Sequence, residues 1–281
     1  MSVNMAFLNA PLRVVLAVAL AAMLAGVFMY SGRAAGQEAP RPPSSRYVST
    51  FSVTAPAPAQ YEIVQTILDF APGAITREHT HGGPEFVTVV EGTLTRIKDG
   101  VETTFTAGQS FREEAWGYFA VANRSSAKAR AFATILLTPG QPVTINHADH
   151  AVPGLLPVTV AFSRTTVVTQ PADFDLQQRI IDFGPGAYAG PHRHPGPLLI
   201  TQLSGEIVSK SGSVEVRQRA GGTYVESAGV TAEHHNPGSE TATVAVTFLL
   251  PRGAPPAVAV RSPATTAPSI SPPNTGDAGI R

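Results

Sequence analysis

The chain has no cysteine among its 281 residues. A disulfide, a thiolate metal site and a cysteine nucleophile are therefore all excluded. Any metal must be held by His, Asp or Glu. Charge is also scarce: charged residues make up 14%, and 20 Lys+Arg balance 20 Asp+Glu. Without a basic excess the chain has no surface suited to nucleic acid, and no acidic tail either. No phosphate-binding loop, dinucleotide fingerprint or nucleophile elbow occurs. Long helical patterns between the apolar segments are missing too, which disfavours a parallel α/β sheet.

Glycine and proline, by contrast, are abundant at 25 each. With 43% hydrophobic residues, the composition suits many short strands joined by turns. The one long apolar run is at the N-terminus. After Arg13, residues 14–30 read VVLAVALAAMLAGVFMY, and small residues follow at Ala34, Ala35 and Gly36. Seventeen residues lie between a signal-peptide core and a short membrane span. The expectation is export: a periplasmic, secreted or membrane-anchored protein, touching the membrane only through this segment. Residues 1–36 are set aside as signal or anchor and 37–46 as a Pro-rich linker. Residues 254–281, rich in Pro, Ser, Thr and Ala, are expected to be a disordered tail.

The middle of the chain repeats itself. FAPGA at Phe70–Ala74 returns as FGPGA at Phe183–Ala187, 113 residues later. The same shift carries Gly92 onto Gly205, Gly108 onto Gly221, Glu113 onto Glu226, Asn123 onto Asn236 and Thr134 onto Thr247. A single offset over about 80 residues marks one domain duplicated. The copies span 47–140 and 160–253, with a connector at 141–159. Each holds short β-branched runs bounded by turn residues. Val244, Val246, Phe248 and Leu250 alternate with Thr243, Ala245 and Thr247, and the first set is predicted to face a core. The reading is an all-β barrel or sandwich in each copy.

Six of the eight histidines gather at two places. Copy one reads Gly73-AITRE-His79-Thr80-His81-GGP-Glu85-FVTVVE-Gly92. Histidines at i and i+2 on a strand point to one face. The Gly82-Gly83-Pro84 turn can bring Glu85 back to the same point. Two neutral imidazoles and a carboxylate can occupy one side of a divalent ion and leave positions for a ligand. The remaining pair, His147 and His150, lies in the connector and is expected in a solvated loop.

The pattern G-x5-H-x-H-x3-E-x6-G, matched at every fixed position from Gly73 to Gly92, resembles the first motif of the cupin superfamily. The resemblance covers both repeats and implies two tandem jelly-roll-like barrels, a bicupin. It implies a divalent ion, Fe2+ or Mn2+ foremost and Zn2+ or Ni2+ next, and a small-molecule ligand. Bicupins include oxalate decarboxylase-like and quercetin dioxygenase-like enzymes as well as binding and storage proteins. The function expected is therefore an oxygenase or decarboxylase, with a non-catalytic binding protein as the alternative, and homo-oligomers are compatible with either.

The second family motif, G-x5-P-x-G-x2-H-x3-N, is broken. Copy one keeps Gly108 and Asn123, but Glu114, Trp116 and Phe119 stand at the proline, glycine and histidine positions. Its expected ligands are thus His79, His81 and Glu85. Glu113 or Glu114 can add an oxygen, although the recurrence of Glu113 as Glu226 fits a structural role equally well. Copy two keeps His192 and His194 but has Leu198 for the glutamate and Ala232 for the last histidine. His234, two residues on, shares the face of position 232, so His192, His194 and His234 form a conceivable second site. A structural remnant is the alternative there. His235 should point away.

Overall fold

The computed structural model describes residues 41–54, 59–147, 158–170 and 173–260. The apolar segment at 14–30 and His150 lie outside the described residues. Among those described there is no helix, and none long enough to cross a membrane.

Among the described residues each repeat supplies ten strands. In the first they are β1 Ser44–Thr54, β2 Ala59–Phe70, β3 His79–Thr80, β4 Glu85–Glu91, β5 Thr93–Lys98, β6 Val101–Thr106, β7 Ser110–Glu113, β8 Ala120–Ala122, β9 Ala129–Leu137 and β10 Ile145–Asn146. In the second they are β11 Thr159–Gln170, β12 Asp173–Phe183, β13 Tyr188–Arg193, β14 Leu198–Ser204, β15 Glu206–Ser211, β16 Val214–Arg219, β17 Thr223–Glu226, β18 Thr231–His235, β19 Ala242–Pro251 and β20 Val258–Ala259. Strands β4 to β7 recur as β14 to β17 at the sequence offset, and so does β10 as β20.

The duplication therefore reaches further than the sequence motifs. Residues 254–260, expected to be disordered, follow the second barrel in order, and Val258–Ala259 pairs with Arg193 and His192. In the same way Ile145–Asn146 of the connector pairs with Thr80 and His79. These short strands close each barrel beside its histidines.

Every ladder is antiparallel, and the two large sheets exchange a strand. One runs β11-β2-β9-β4-β7 and the other β1-β12-β19-β14-β17. Thus β1, from the first repeat, pairs along β12 from Ser44↔Asp182 to Thr54↔Asp173. Strand β11 pairs along β2 from Thr159↔Asp69 to Gln170↔Ala59. Each barrel is completed by the other repeat, with a smaller sheet on its far side, β6-β5-β8 or β16-β15-β18-β13-β20.

The large sheets pack face to face, which explains why their central strands are apolar on both sides. On β19, Val244, Val246, Phe248 and Leu250 enter the barrel core as expected. The alternate residues do not meet water: Ala245, Thr247 and Leu249 are buried against the other sheet. A hydrogen-bonded polar layer crosses this interface. Thr134 and Thr247, equivalent residues of the two repeats, join hydroxyls at 2.9 Å. Gln65 Nε2 donates to Thr247 at 2.8 Å, and its twin Gln178 donates to Thr134 at 2.8 Å. The Gln oxygens accept from Thr201 at 2.8 Å and Thr88 at 2.7 Å. All six are buried, and their mutual bonding offsets the desolvation that isolated amides and hydroxyls would incur. The relation is a pseudo-twofold, with the threonine pair on its axis.

Candidate metal centres

In barrel 1 the chain folds back on itself to gather four ionisable groups. His79 lies on β3 and its backbone is tied to Phe119 in both directions, at 2.9 and 3.0 Å. After His81 the chain turns sharply against β9. A Cβ on Gly83 would collide with the Leu136 carbonyl, so only glycine lets the turn approach closely enough for Pro84 O to accept from Leu136 N. That approach sets Glu85 at the start of β4. Glu113, at the end of β7, is its direct partner across the sheet, and opposed residues project to the same side.

The four side chains therefore converge, with ligand atoms all within 4.8 Å of one another. His81 Nε2 lies 3.4 Å from Glu85 and 3.5 Å from Glu113, and His79 Nε2 lies 3.6 Å from Glu113. All four residues are buried, Glu113 completely. His79 Nδ1 is bonded to the Arg77 carbonyl at 2.8 Å and His81 Nδ1 to the Val143 carbonyl at 2.6 Å. A carbonyl only accepts, so each Nδ1 carries the proton and each neutral ring turns a bare Nε2 lone pair inward. Bare lone pairs facing carboxylate oxygens at such distances require a cation between them. His81 Nε2 and both Glu113 oxygens indeed have no hydrogen-bond partner. Without a metal, protons take that place. Burial opposes charge on His81, but Glu85 and Glu113 outweigh it and hold its pKa up at about 10. His79 is raised against its own burial by Glu113 and Glu85. Burial likewise opposes the Glu113 carboxylate, yet the close approach of His79 and His81 brings it down to about 2.

This arrangement departs from the expected three-ligand set. Glu113, for which a structural role was an equal reading, joins His79, His81 and Glu85. Glu114 does not: it is exposed and pairs with Arg112 at 3.1 Å. Phe119 is buried at the place of the missing histidine. Asn123 proves to be a clamp, its amide donating to Phe70, Ala71 and Ala127 carbonyls. His147 is not a solvated loop residue: it is partly buried, with its ring edge-on to Tyr118 at 4.3 Å.

Barrel 2 gathers His192, His194 and His234, with ligand atoms within the same 4.8 Å. His235 is exposed, as expected. Leu198, opposite Glu226 across the sheet, joins the barrel core. Glu226, the counterpart of Glu113, lies 3.4 Å from His194 Nε2 and 3.2 Å from His234 Nε2. Again the rings are aimed from behind: His192 Nδ1 by Gly190 O at 2.7 Å and His194 Nδ1 by Pro256 O at 2.6 Å. Pro256 is the offset twin of Val143. Ser209 holds His234 Nδ1 at 2.9 Å and meets the Tyr224 hydroxyl at 2.6 Å. Burial pushes His234 down to about 4 and His192 below its ordinary value, outweighing the nearby carboxylates of Glu226 and Glu233. Glu226 is itself lowered, the close approach of His194 and the other rings outweighing burial.

The sequence of each barrel matches the cupin domain model, over residues 66–135 and 179–248. The chain belongs to the cupin superfamily. The two matches begin and end at the offset of the repeat, so this is a bicupin, as the motifs implied. No curated protein matches the sequence. Solved structures of similar fold include the oxalate decarboxylase OxdC of Bacillus subtilis, 12% identical over 80% of either chain with a TM-score of 0.53. AerE from Microcystis aeruginosa is 14% identical, covering 75% of this chain and 98% of its own, at 0.47. Salicylate 1,2-dioxygenase from Pseudaminobacter salicylatoxidans is 13% identical, covering 66% and 70%, at 0.42. The likeness to OxdC concerns the fold alone and leaves the chemistry to the site itself.

Proposed function

We propose that this bicupin is an exported metalloprotein whose barrel 1 holds Mn2+ or Fe2+ through His79, His81, Glu85 and Glu113. The bound metal would act as Lewis acid and template on a small organic acid in an oxygenase or decarboxylase reaction. The observation that carries this reading is the convergence of ligand atoms from four buried groups, among which His81 Nε2 and both Glu113 oxygens have no hydrogen-bond partner. Export rests on the apolar run at 14–30.

The chain's own residues define the rest of the site. Beside the cluster is a cavity of about 90 Å³, walled by Leu68, Phe70, Val87, Phe111, Val121 and Ala131. That is smaller than the ~150 Å³ apolar cavity that accommodates a benzene ring. A two- to four-carbon acid fits this size better than a flavonoid does. Apolar walls would exclude water and strengthen the attraction between a carboxylate and the centre. Apart from the three ionisable groups His79, His81 and Glu85, Thr66 and Thr76 are the polar lining, and neither is a base at neutral pH. That feature favours a second reading, a cupin that captures a small acid without converting it.

Metal analysis of the purified full-length protein tests the first step. Manganese or iron should co-purify or be taken up on addition, and His79→Ala should lose about one equivalent per chain. A wild-type protein that takes up neither ion sinks the proposal. Turnover of oxalate and its short-chain homologues by the loaded protein separates the enzyme from the binder.

A further inference from the structure

Barrel 2 differs from barrel 1 at several places at once, and the changes fit together. The third imidazole, His234, occupies the offset position of Val121. Ser209, which supports its Nδ1 at 2.9 Å, occupies that of Arg96, and Tyr224, bonded to Ser209 at 2.6 Å, that of Phe111. In barrel 1 these positions make different contacts. Arg96 donates to the Arg112 carbonyl at 2.8 Å, and Phe111 packs in the apolar core. Meanwhile Leu198 takes the place of Glu85. A decayed site would lose ligands without gaining a buried bonding chain behind a new one. Outer partners that fix ring orientation are what working metal ligands use. All three barrel 2 rings have such a partner, and His194 Nε2 and Glu226 Oε2 remain without hydrogen bonds.

The two barrels thus offer unlike donors. Barrel 1 presents two imidazoles and two carboxylates, and barrel 2 three imidazoles and one carboxylate. Carboxylate-rich sites suit hard ions such as manganese(II), whereas imidazole-rich sites favour zinc, nickel and other later ions. We infer that the chain sorts metals, with barrel 2 a second site selective for a zinc- or nickel-class ion through His192, His194, His234 and Glu226, and barrel 1 retaining manganese. This rests on the reading of barrel 1 as a metal centre.

The experiment is a competition on the full-length chain, stripped with chelator and then given excess Mn2+ and one equivalent of Zn2+. Zinc and manganese are counted by elemental analysis, and bound manganese is followed by its paramagnetic resonance spectrum. Zinc should enter barrel 2 while the barrel 1 manganese signal persists. His234→Val, which installs the residue barrel 1 carries there, should abolish zinc retention and spare manganese. Ser209→Ala leaves every ligand in place, so it guards against misfolding of the first variant. It should weaken zinc about 10- to 100-fold, as loss of an outer partner does, with manganese unchanged. Zinc that displaces the barrel 1 signal first, or that is retained unaltered in both variants, overturns the inference and leaves the barrel 1 reading intact. Failure to bind any ion overturns both.

Discussion

At the scale of single residues, the pseudo-symmetry provides an internal control for each substitution. Trp116 is the most unusual. Its φ is 61°, a left-handed conformation, and its twin Gly229 has φ 75°. Both backbone amides donate to the carbonyl of the second motif histidine, Trp116 to His81 at 2.9 Å and Gly229 to His194 at 2.8 Å. The turn is therefore needed for the site, while the indole is 53% exposed. A side chain in this region costs about 1–2 kcal/mol, partly offset by glycine's greater entropy loss on folding. Trp116→Gly should raise stability by up to about 1 kcal/mol in urea unfolding, with barrel 1 metal content unchanged. A loss of stability would mean that the indole packs more than its exposure indicates. Glu113 shows how residue-scale reasoning fell short: recurrence as Glu226 was compatible with a structural part. Its register directly across from Glu85 is what turns it into the site.

At the scale of elements, strands β9 and β19 do most to join the barrels. Each is buried on both faces, inward to its own barrel and outward to the other sheet. The polar layer they share should be strongly coupled. Thr134→Val deprives Gln178 Nε2 of an acceptor and Thr247 of its hydroxyl partner. A buried group left unpaired costs about 1–3 kcal/mol, and Thr247→Val should cost a similar amount. The double variant should cost clearly less than the sum, because the shared bond is lost only once. Additive costs in a double-mutant cycle would show the pair to be uncoupled. The short strands β10 and β20 are the other decisive elements. They place Val143 and Pro256 behind His81 and His194, so segments read as connector and tail set the orientation of two ligands.

At the scale of the molecule, strand exchange makes each barrel dependent on the other repeat. Calorimetry should give a single unfolding transition, and two separated transitions would argue against the exchange. The pH dependence of the metal-free protein should then show both sites in one curve. His234 is held at about 4 when folded, against about 6.5 for a free histidine. The unfolded chain binds its proton more readily, so stability should fall as pH drops from about 6.5 towards 4. His81 is raised to about 10. Its contribution is complete below about 6.5 and should be lost as pH climbs through 10. Glu113, lowered to about 2, contributes above about 4.5 and its share should be lost only as pH falls through 2. Denaturation midpoints across pH would test this, with His234→Val flattening the acid limb near pH 5. A limb unaltered in that variant would assign the effect elsewhere.

The sequence by itself determined the duplication, the all-β class and five of the clustered histidines and their neighbour Glu85. These follow from local patterns: strand alternation, turn glycines and ligand spacing within a few residues. What it could not decide depends on contacts between distant residues. The exchange of β1 and β11, the burial of Thr134 and Thr247 on a shared axis, and the carbonyls of Val143 and Pro256 all join residues tens to more than a hundred positions apart. Glu113 and Glu226 belong with these, since a carboxylate becomes a candidate ligand only when sheet register sets it beside the histidines. His234 was legible as sharing the face of position 232, but the Ser209–Tyr224 support that distinguishes a built site from a remnant came only from the packed barrel.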